Sequence, residues 1–319
     1  MRRHIPALAL AGALALAACS DVATDPTGLQ TSDAASAAAK KAKKGADAGV
    51  DVDSEILADA MEAVNARLEA EGAPFRVDHA EWVAAPGAER QGTTVFFEDR
   101  GNKQLDAHFV PGDPRRGGRT DITYLVDESD GATASGLTAA QTGAAIDRAM
   151  QTWEDARCTR LEINEVADTG ADPDLVDGLL GVGGIGTPLS ADIVHAGWLP
   201  AGVLGPSTLG VTFTFTFVND QDGDGQPDVA WREIYYNDLF FWGIDVEVPF
   251  VDVESIALHE AGHGLSQAHF GKLFRTDKNG KLHFAPFALM NAGFTQQVQE
   301  LQGTDRGGHC SIWGSWPNG

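Results

Sequence analysis

The chain has 319 residues, 43% of them hydrophobic, which is enough for one well-formed core together with a smaller domain. Its formal charge of −23 at pH 7 argues against nucleic acid as a partner and is compatible with bound calcium. After the first twenty residues, no apolar run is long enough to predict a transmembrane helix.

Residues 1–18 have the pattern of an export signal, with Arg2 and Arg3 ahead of a short apolar segment. The signal ends in Leu-Ala-Ala before Cys19, which resembles the lipobox of bacterial lipoproteins and predicts lipidation of Cys19. An ordinary signal peptide followed by a chance cysteine is the alternative. Ser20 is not the aspartate that retains lipoproteins at the inner membrane. We therefore expect an exported lipoprotein of the cell envelope, held at the outer membrane if the source is Gram-negative.

Residues 19–50 are rich in Ala, Ser, Thr, Asp, Lys and Gly, which predicts a flexible tether. Residues 51–118 predict a small α+β segment of their own. Its expected elements are a helix over 54–71 and strands over 93–98 and 105–110. The stretch 111–119 is rich in Pro, Gly and Arg and predicts an exposed linker, with a processing site as the alternative.

Residues 119–319 predict a larger domain in which strands and helices follow each other in turn. This order indicates a twisted, mainly parallel sheet backed by helices. Residues 211–218 alternate between Thr and Phe or Val, which predicts a half-buried strand. The expected elements are strands over 121–126, 161–166, 191–195, 211–218 and 230–236, and helices over 138–157 and 252–264.

An acidic turn follows the alternating strand. Asp220, Asp222 and Asp224 have the D-x-D-x-D-G spacing of calcium loops, and Gly225 permits the sharp bend. The bidentate glutamate that closes an EF-hand is missing, because Trp231 occupies its position, and Asp228 is the expected substitute. The turn predicts a calcium site, with a solvated Asp-rich turn as the alternative.

The stretch from His259 to His269 contains H-E-x-x-H and a third histidine. On a helix, His259 and His263 lie one turn apart on one face, so both imidazoles can reach one ion. A continuous helix would direct His269 about 240° away from His263 and roughly 9 Å further along the axis. His269 can therefore be a third ligand only if the helix ends after His263 and the chain turns back.

Further along, Met290 lies in the segment Phe-Ala-Leu-Met-Asn. Together with the histidine motif, this resembles the metzincin metallopeptidases, and the local sequence is most similar to the matrixin branch. The resemblance implies zinc ligation by His259, His263 and His269, with Glu260 as general base and Met290 in the Met-turn. Ala292 stands where the astacin and serralysin branches have a zinc-facing tyrosine, so that accessory group is absent.

The resemblance covers roughly residues 120–308 and implies an α+β fold of the metzincin-like zincin type. Its twisted mixed sheet would have five strands, with two long helices and with 211–218 as an antiparallel edge strand able to pair with a substrate peptide. Segment 51–118 holds the place of a pro-segment but has no cysteine to cap zinc, and an accessory domain is the alternative. The family glycine is Ser266 here, where positive φ would cost roughly 1–2 kcal/mol.

Two further cysteines, Cys158 and Cys310, are expected to form a disulfide in an exported chain, with two free buried thiols as the alternative. The sequence as a whole predicts a lipid-anchored zinc endopeptidase that acts on a peptide or protein substrate. One alternative is a lipid-anchored calcium-binding or adhesion protein with an inactive peptidase site. Another is a zincin whose third ligand is a downstream glutamate. The oligomeric state does not follow from the sequence.

Overall fold

The computed structural model describes residues 51–98, 107–184, 190–276 and 282–317, all within one compact unit. The predicted signal at 1–18, the lipidation site Cys19 and the tether at 19–50 lie outside the described residues. The described part is an α+β fold with a mixed eight-stranded sheet and five α-helices. No helix within it is both long and apolar enough to cross a membrane.

The sheet combines an antiparallel half with a parallel half, in the spatial order β2-β1-β7-β8-β6-β4-β5, with β3 paired to β8. Strands β2, β1, β7 and β8 are antiparallel neighbours, whereas β8, β6, β4 and β5 are parallel neighbours. The eight strands are β1 (Phe75–Ala84), β2 (Thr94–Phe96), β3 (His108–Phe109), β4 (Ile122–Val126), β5 (Ile163–Glu165), β6 (Ile193–Leu199), β7 (Thr208–Phe217) and β8 (Asp228–Asn237).

Two small ladders lie outside this sheet. β9 (Trp242–Gly243) pairs in parallel with β10 (Val251–Asp252), directly before the helix that carries the histidine motif. β11 (Lys272–Arg275) and β12 (Leu282–Ala285) form the antiparallel ladder between His269 and Met290.

The five helices are α1 (Val52–Glu71), α2 (Ala139–Glu154), α3 (Leu175–Leu180), α4 (Val253–Gly264) and α5 (Gly303–Trp313). Local sequence signals explain where the long ones begin and end. Asp51 accepts a hydrogen bond from the Ser54 backbone at the start of α1, and Gly72 ends that helix with φ +68°. Thr138 and Gln141 form a capping box at the start of α2.

The helices cover the two faces of the sheet and create two apolar cores. The first core packs α2, α4 and α5 against one face, and the second packs α1 and α3 against the other. Trp153 on α2 donates its indole N–H to the carbonyl of Leu258 on α4, 2.8 Å away. Cys158, after α2, and Cys310, on α5, form a disulfide with Cα atoms 5.6 Å apart.

The expected five-stranded sheet with residues 211–218 at its edge is wrong in two respects. The sheet has eight strands, and β7 lies inside it, between β8 and β1. β1 is the strand that the sequence pattern does not predict, because a bulge between Val77 and His79 breaks its alternation. With the bulge, one set of β1 side chains enters the second core: Phe75, Val77, Ala80, Trp82 and Ala84.

The N-terminal segment does not form a separate α+β unit, because both of its predicted strands join the main sheet. The strands predicted at 93–98 and 105–110 are shorter, and they pair with different partners: β2 with β1, and β3 with β8. The stretch 111–119 is not uniformly exposed, because Arg116 is buried and its guanidinium lies 2.6 Å from Asp192.

Candidate metal centre

The helix that carries the histidine motif ends where the sequence requires. α4 begins after Asp252, which accepts the Ser255 backbone N–H at 2.9 Å, and it ends at Gly264. Ser266 then adopts φ +66°. The amide of Ser266 donates to the carbonyl of His263, and the next amide donates to that of Gly262. This left-handed turn reverses the chain and returns His269 to the motif.

The three histidines converge through their Nε2 atoms. The distances are 3.2 Å between His259 and His263, 3.3 Å between His259 and His269, and 3.1 Å between His263 and His269. Each corner of such a triangle lies about 1.8–1.9 Å from its centre, a spacing that fits the roughly 2.0–2.1 Å typical of zinc–imidazole bonds, so His259, His263 and His269 would be able to hold one zinc ion. Three imidazoles also suit other transition metals, including copper, iron and nickel.

Backbone carbonyls fix two of these rings. His259 Nδ1 lies 2.8 Å from the carbonyl oxygen of Leu289, and His263 Nδ1 lies 2.7 Å from that of Gln267. A carbonyl only accepts, so each Nδ1 carries hydrogen and each neutral ring directs an Nε2 lone pair toward its neighbour. Either a proton or a metal cation must therefore lie among the three Nε2 atoms.

Burial and mutual repulsion determine how readily His259, His263 and His269, the histidine trio, bind protons. Burial, together with the charge of His263, lowers the pKa of His259 to about 3 and also lowers that of His269. Burial alone would lower the pKa of His263, but the charge and hydrogen bond of Glu81 outweigh it and raise the pKa. Low proton affinity at two of the three rings favours a metal over protons at neutral pH.

Met290 packs beneath the motif helix with 1% of its surface exposed. A Cβ on Gly262 would collide with the sulfur of Met290, so glycine is required for this approach. The carboxylate of Asp305 on α5 accepts the backbone N–H groups of Leu289 and Met290 at 2.9 and 3.1 Å. Asp305 therefore holds the Met290 turn, including the carbonyl of Leu289 that orients His259.

Glu260 is fully buried beside the trio. Its Oε2 accepts the hydroxyl of Thr212 on β7 at 2.7 Å, and its Oε1 has no hydrogen-bond partner among the described residues. Burial raises the pKa of Glu260 to about 7, although His263 and Thr212 oppose the shift. A carboxyl with a pKa near 7 can both take up and release a proton at neutral pH.

Glu81 on β1 is a residue of the site that the sequence analysis missed. Its Oε2 lies 3.1 Å from Nδ1 of His263 and 3.8 Å from Nε2 of His79. Burial would raise the pKa of Glu81, but His263, His79 and Arg232 outweigh that effect and lower it. A carboxylate on the far nitrogen of a candidate ligand fixes the ring and raises its basicity.

β1 pairs with β7 over nearly its whole length and brings Glu81 against His263. The two strands are antiparallel, with Glu81 opposite Thr212 and Val83 opposite Gly210. At its end, Ala84 exchanges backbone hydrogen bonds with Ala292 (3.4 Å) and Phe294 (2.8 Å), in the segment that follows Met290. β1 thus lies as an extended strand between β7 and the chain beyond the Met290 turn.

The predicted calcium loop contains two overlapping groupings, in which Asp220, Asp222 and Asp224 are exposed and Asp228 is buried. Asp220, Asp222 and Asp228 offer oxygens within 4.8 Å of one another, whereas Asp224 groups instead with Asp222 and His108. The Asp220 carboxylate accepts the amides of Gly223 and Gly225, at 2.5 and 2.8 Å. These two backbone hydrogen bonds lower the pKa of Asp220, and the one from Gly225 has the larger effect. Asp220 is therefore already engaged by the turn itself.

Compared with models of protein families, with curated proteins and with solved structures, this chain gives no significant match.

Proposed function

We propose that the chain is a zinc-dependent endopeptidase of the metzincin type, in a covered, inactive arrangement. The observation that supports this most strongly is the convergence of three Nε2 atoms beside a buried glutamate whose pKa is about 7. A zinc ion held by the three histidines would lower the pKa of a water molecule and polarise a peptide carbonyl.

The residues around the trio have distinct proposed roles. Glu260 accepts the proton of the attacking water and delivers it to the leaving amine, for which a pKa near 7 is well suited. Thr212 donates to one oxygen of Glu260 and so orients the other. The carbonyls of Leu289 and Gln267 keep the ring hydrogens of His259 and His263 on Nδ1, which leaves both Nε2 atoms free to ligate.

We propose that a substrate peptide pairs with β7 as an additional strand, and that β1 now occupies the place of that peptide. An extended peptide adds to a sheet through main-chain hydrogen bonds, which tolerate many sequences. β1 already uses these hydrogen bonds over nearly its whole length, from the Phe75–Phe217 pair to the Ala84–Thr208 pair. Residues 51–98, which form α1, β1 and β2, would accordingly act as a pro-segment.

The variant Glu260→Gln tests the mechanism. We expect one zinc per chain to remain bound, while cleavage of a fluorogenic peptide library, after limited proteolysis of the intact chain, falls about 100- to 10,000-fold. The exposed Glu162→Gln provides the matched control and should keep full activity. Undiminished cleavage by Glu260→Gln would exclude the proposed base.

Metal analysis of the same preparation separates this function from its main alternative. Calcium without stoichiometric zinc would favour a lipid-anchored calcium-binding or adhesion protein with an inactive peptidase site. Stoichiometric zinc that is removed by chelator together with activity would favour the peptidase.

A further inference from the structure

A second group of candidate metal ligands lies apart from the histidines. Asp130 follows β4, and Asp172, Asp174 and Asp177 lie at and before the start of α3. One carboxylate oxygen from each of the four lies within 4.8 Å of the others. No motif in the sequence pointed to these four residues.

The burial of Asp174 distinguishes this cluster from an ordinary acidic surface. Asp174 has no exposed surface, and neither of its carboxylate oxygens has a hydrogen-bond partner among the described residues. Asp177 is 1% exposed, and one oxygen of Asp172 is also buried without a partner. A buried carboxylate without a hydrogen bond or counter-charge is strongly unfavourable, so these oxygens require a cation or bound protons.

The charges that act on Asp174 are themselves acidic. They belong to Asp177, Glu233, Asp127 and Asp172. Glu233 is fully engaged, because it accepts N–H groups from Leu175, Val176 and Trp231 and the hydroxyl of Tyr235. None of these four neighbours is an arginine, lysine or histidine, so none of them relieves the repulsion on Asp174.

The backbone is shaped around the cluster. Asp172 adopts φ +50°, and the amide of Gly184, itself at φ +62°, donates to Asp172 at 3.2 Å. A Cβ on Gly184 would lie 2.5 Å from an oxygen of Asp177. The carbonyl of Asp130 accepts the amide of Trp198 on β6 at 3.0 Å. Asp130 and the 172–184 loop are thus held at fixed positions from separate parts of the chain.

We propose that Asp130, Asp172, Asp174 and Asp177 bind a calcium ion that joins the loop after β4 to the start of α3. Calcium takes six to eight oxygen ligands and tolerates irregular geometry, which fits a donor set made entirely of carboxylates, whereas zinc prefers nitrogen and sulfur. The site does not depend on the peptidase proposal. It also differs from the 220–228 turn, where Asp220, Asp222 and Asp224 are exposed and backbone amides already engage Asp220.

Calcium titration of the intact, zinc-saturated chain tests this site, with calorimetry for binding and thermal unfolding for stability. Asp174→Asn should remove one calcium-binding event and the accompanying rise in unfolding temperature. Because Asn replaces a buried carboxyl that must bind a proton when calcium is absent, the variant should then unfold at the same or a higher temperature than the wild type. Glu162→Gln, which replaces an exposed carboxylate outside both acidic groups, should retain the binding event and the thermal shift.

Two results would overturn the proposal. One is a wild-type chain whose unfolding temperature does not respond to calcium. The other is an Asp174→Asn variant that binds calcium with unchanged stoichiometry and affinity. Asp177→Asn serves as the second variant, and it should reproduce the loss seen with Asp174→Asn.

Discussion

At the scale of single residues, Ser266 carries the turn on which the third histidine depends. It is one of three non-glycine residues at positive φ in the described part of the chain, and its buried hydroxyl has no hydrogen-bond partner there. The left-handed conformation costs a serine about 1–2 kcal/mol of strain, which a glycine would avoid. Part of that gain would be offset, because glycine has more conformational entropy in the unfolded chain.

Ser266→Gly should therefore raise the free energy of unfolding by about 0.5–1 kcal/mol, measured by denaturant titration. Zinc content should be unchanged, because the turn keeps its shape. Ser266→Ala gives the matched control and should bring no gain, since alanine has the same Cβ clash at positive φ. Destabilisation by glycine would show that the serine hydroxyl stabilises the turn.

His309 on α5 makes stability depend on pH. It has no exposed surface, its ring lies 5.2 Å from that of Trp153, and burial lowers its pKa to about 4. The unfolded chain then binds a proton more readily than the folded chain. The stability contribution of the neutral ring is complete above the unfolded pKa of about 6.5 and is lost as the pH falls toward 4.

His309→Phe should remove this part of the acid sensitivity. Between pH 7 and pH 4 the wild type should lose on the order of 3 kcal/mol more stability than the variant. Unfolding followed at several pH values gives the two slopes, and taking their difference removes the effects of other titrating groups. Parallel slopes would mean that His309 does not change its protonation on unfolding.

At the scale of elements, the sequence predicted those whose apolar pattern is regular and missed those whose pattern is broken. The boundaries of α4, the turn after it and the convergence of His269 follow from the motif, because only a helix that ends there brings three ligands together. β1 does not follow, because its bulge changes which side chains face the core halfway along the strand. Glu81 lies on β1 and was missed for the same reason. The position of β7 inside the sheet was missed as well, because it depends on the pairing with β1.

The cover formed by β1 depends on Trp82. This side chain is 1% exposed and packs in the second core, on the face of the sheet away from the histidines. Trp82→Ala should cost roughly 3–5 kcal/mol of packing. Because much of that loss falls on the pairing of β1 with β7, the unprocessed chain should cleave peptides faster. Trp82→Phe retains most of the contact and should stay inactive. A Trp82→Ala chain that keeps its zinc but remains as inactive as the wild type would contradict the pro-segment.

At the scale of the whole molecule, the order of segments links activation to location. The proposed lipid anchor at Cys19 and the proposed pro-segment at 51–98 both precede the histidine motif. Cleavage between β2 and β4 would free β7 and also separate the peptidase from its anchor. We expect peptidase activity after processing in the soluble fraction, and unprocessed chain in the membrane fraction unless Cys19 is replaced by serine. Active, processed enzyme that stays with membranes would contradict this order.

The most direct test of the central claim is X-ray absorption at the zinc edge on the full chain and on His269→Ala. We predict one zinc per wild-type chain, with three imidazole nitrogens at about 2.0–2.1 Å, and one imidazole fewer together with weakened zinc binding in the variant. A zinc spectrum and affinity that His269→Ala leaves unchanged would contradict the account, because the metal would then lie elsewhere or take a different third ligand.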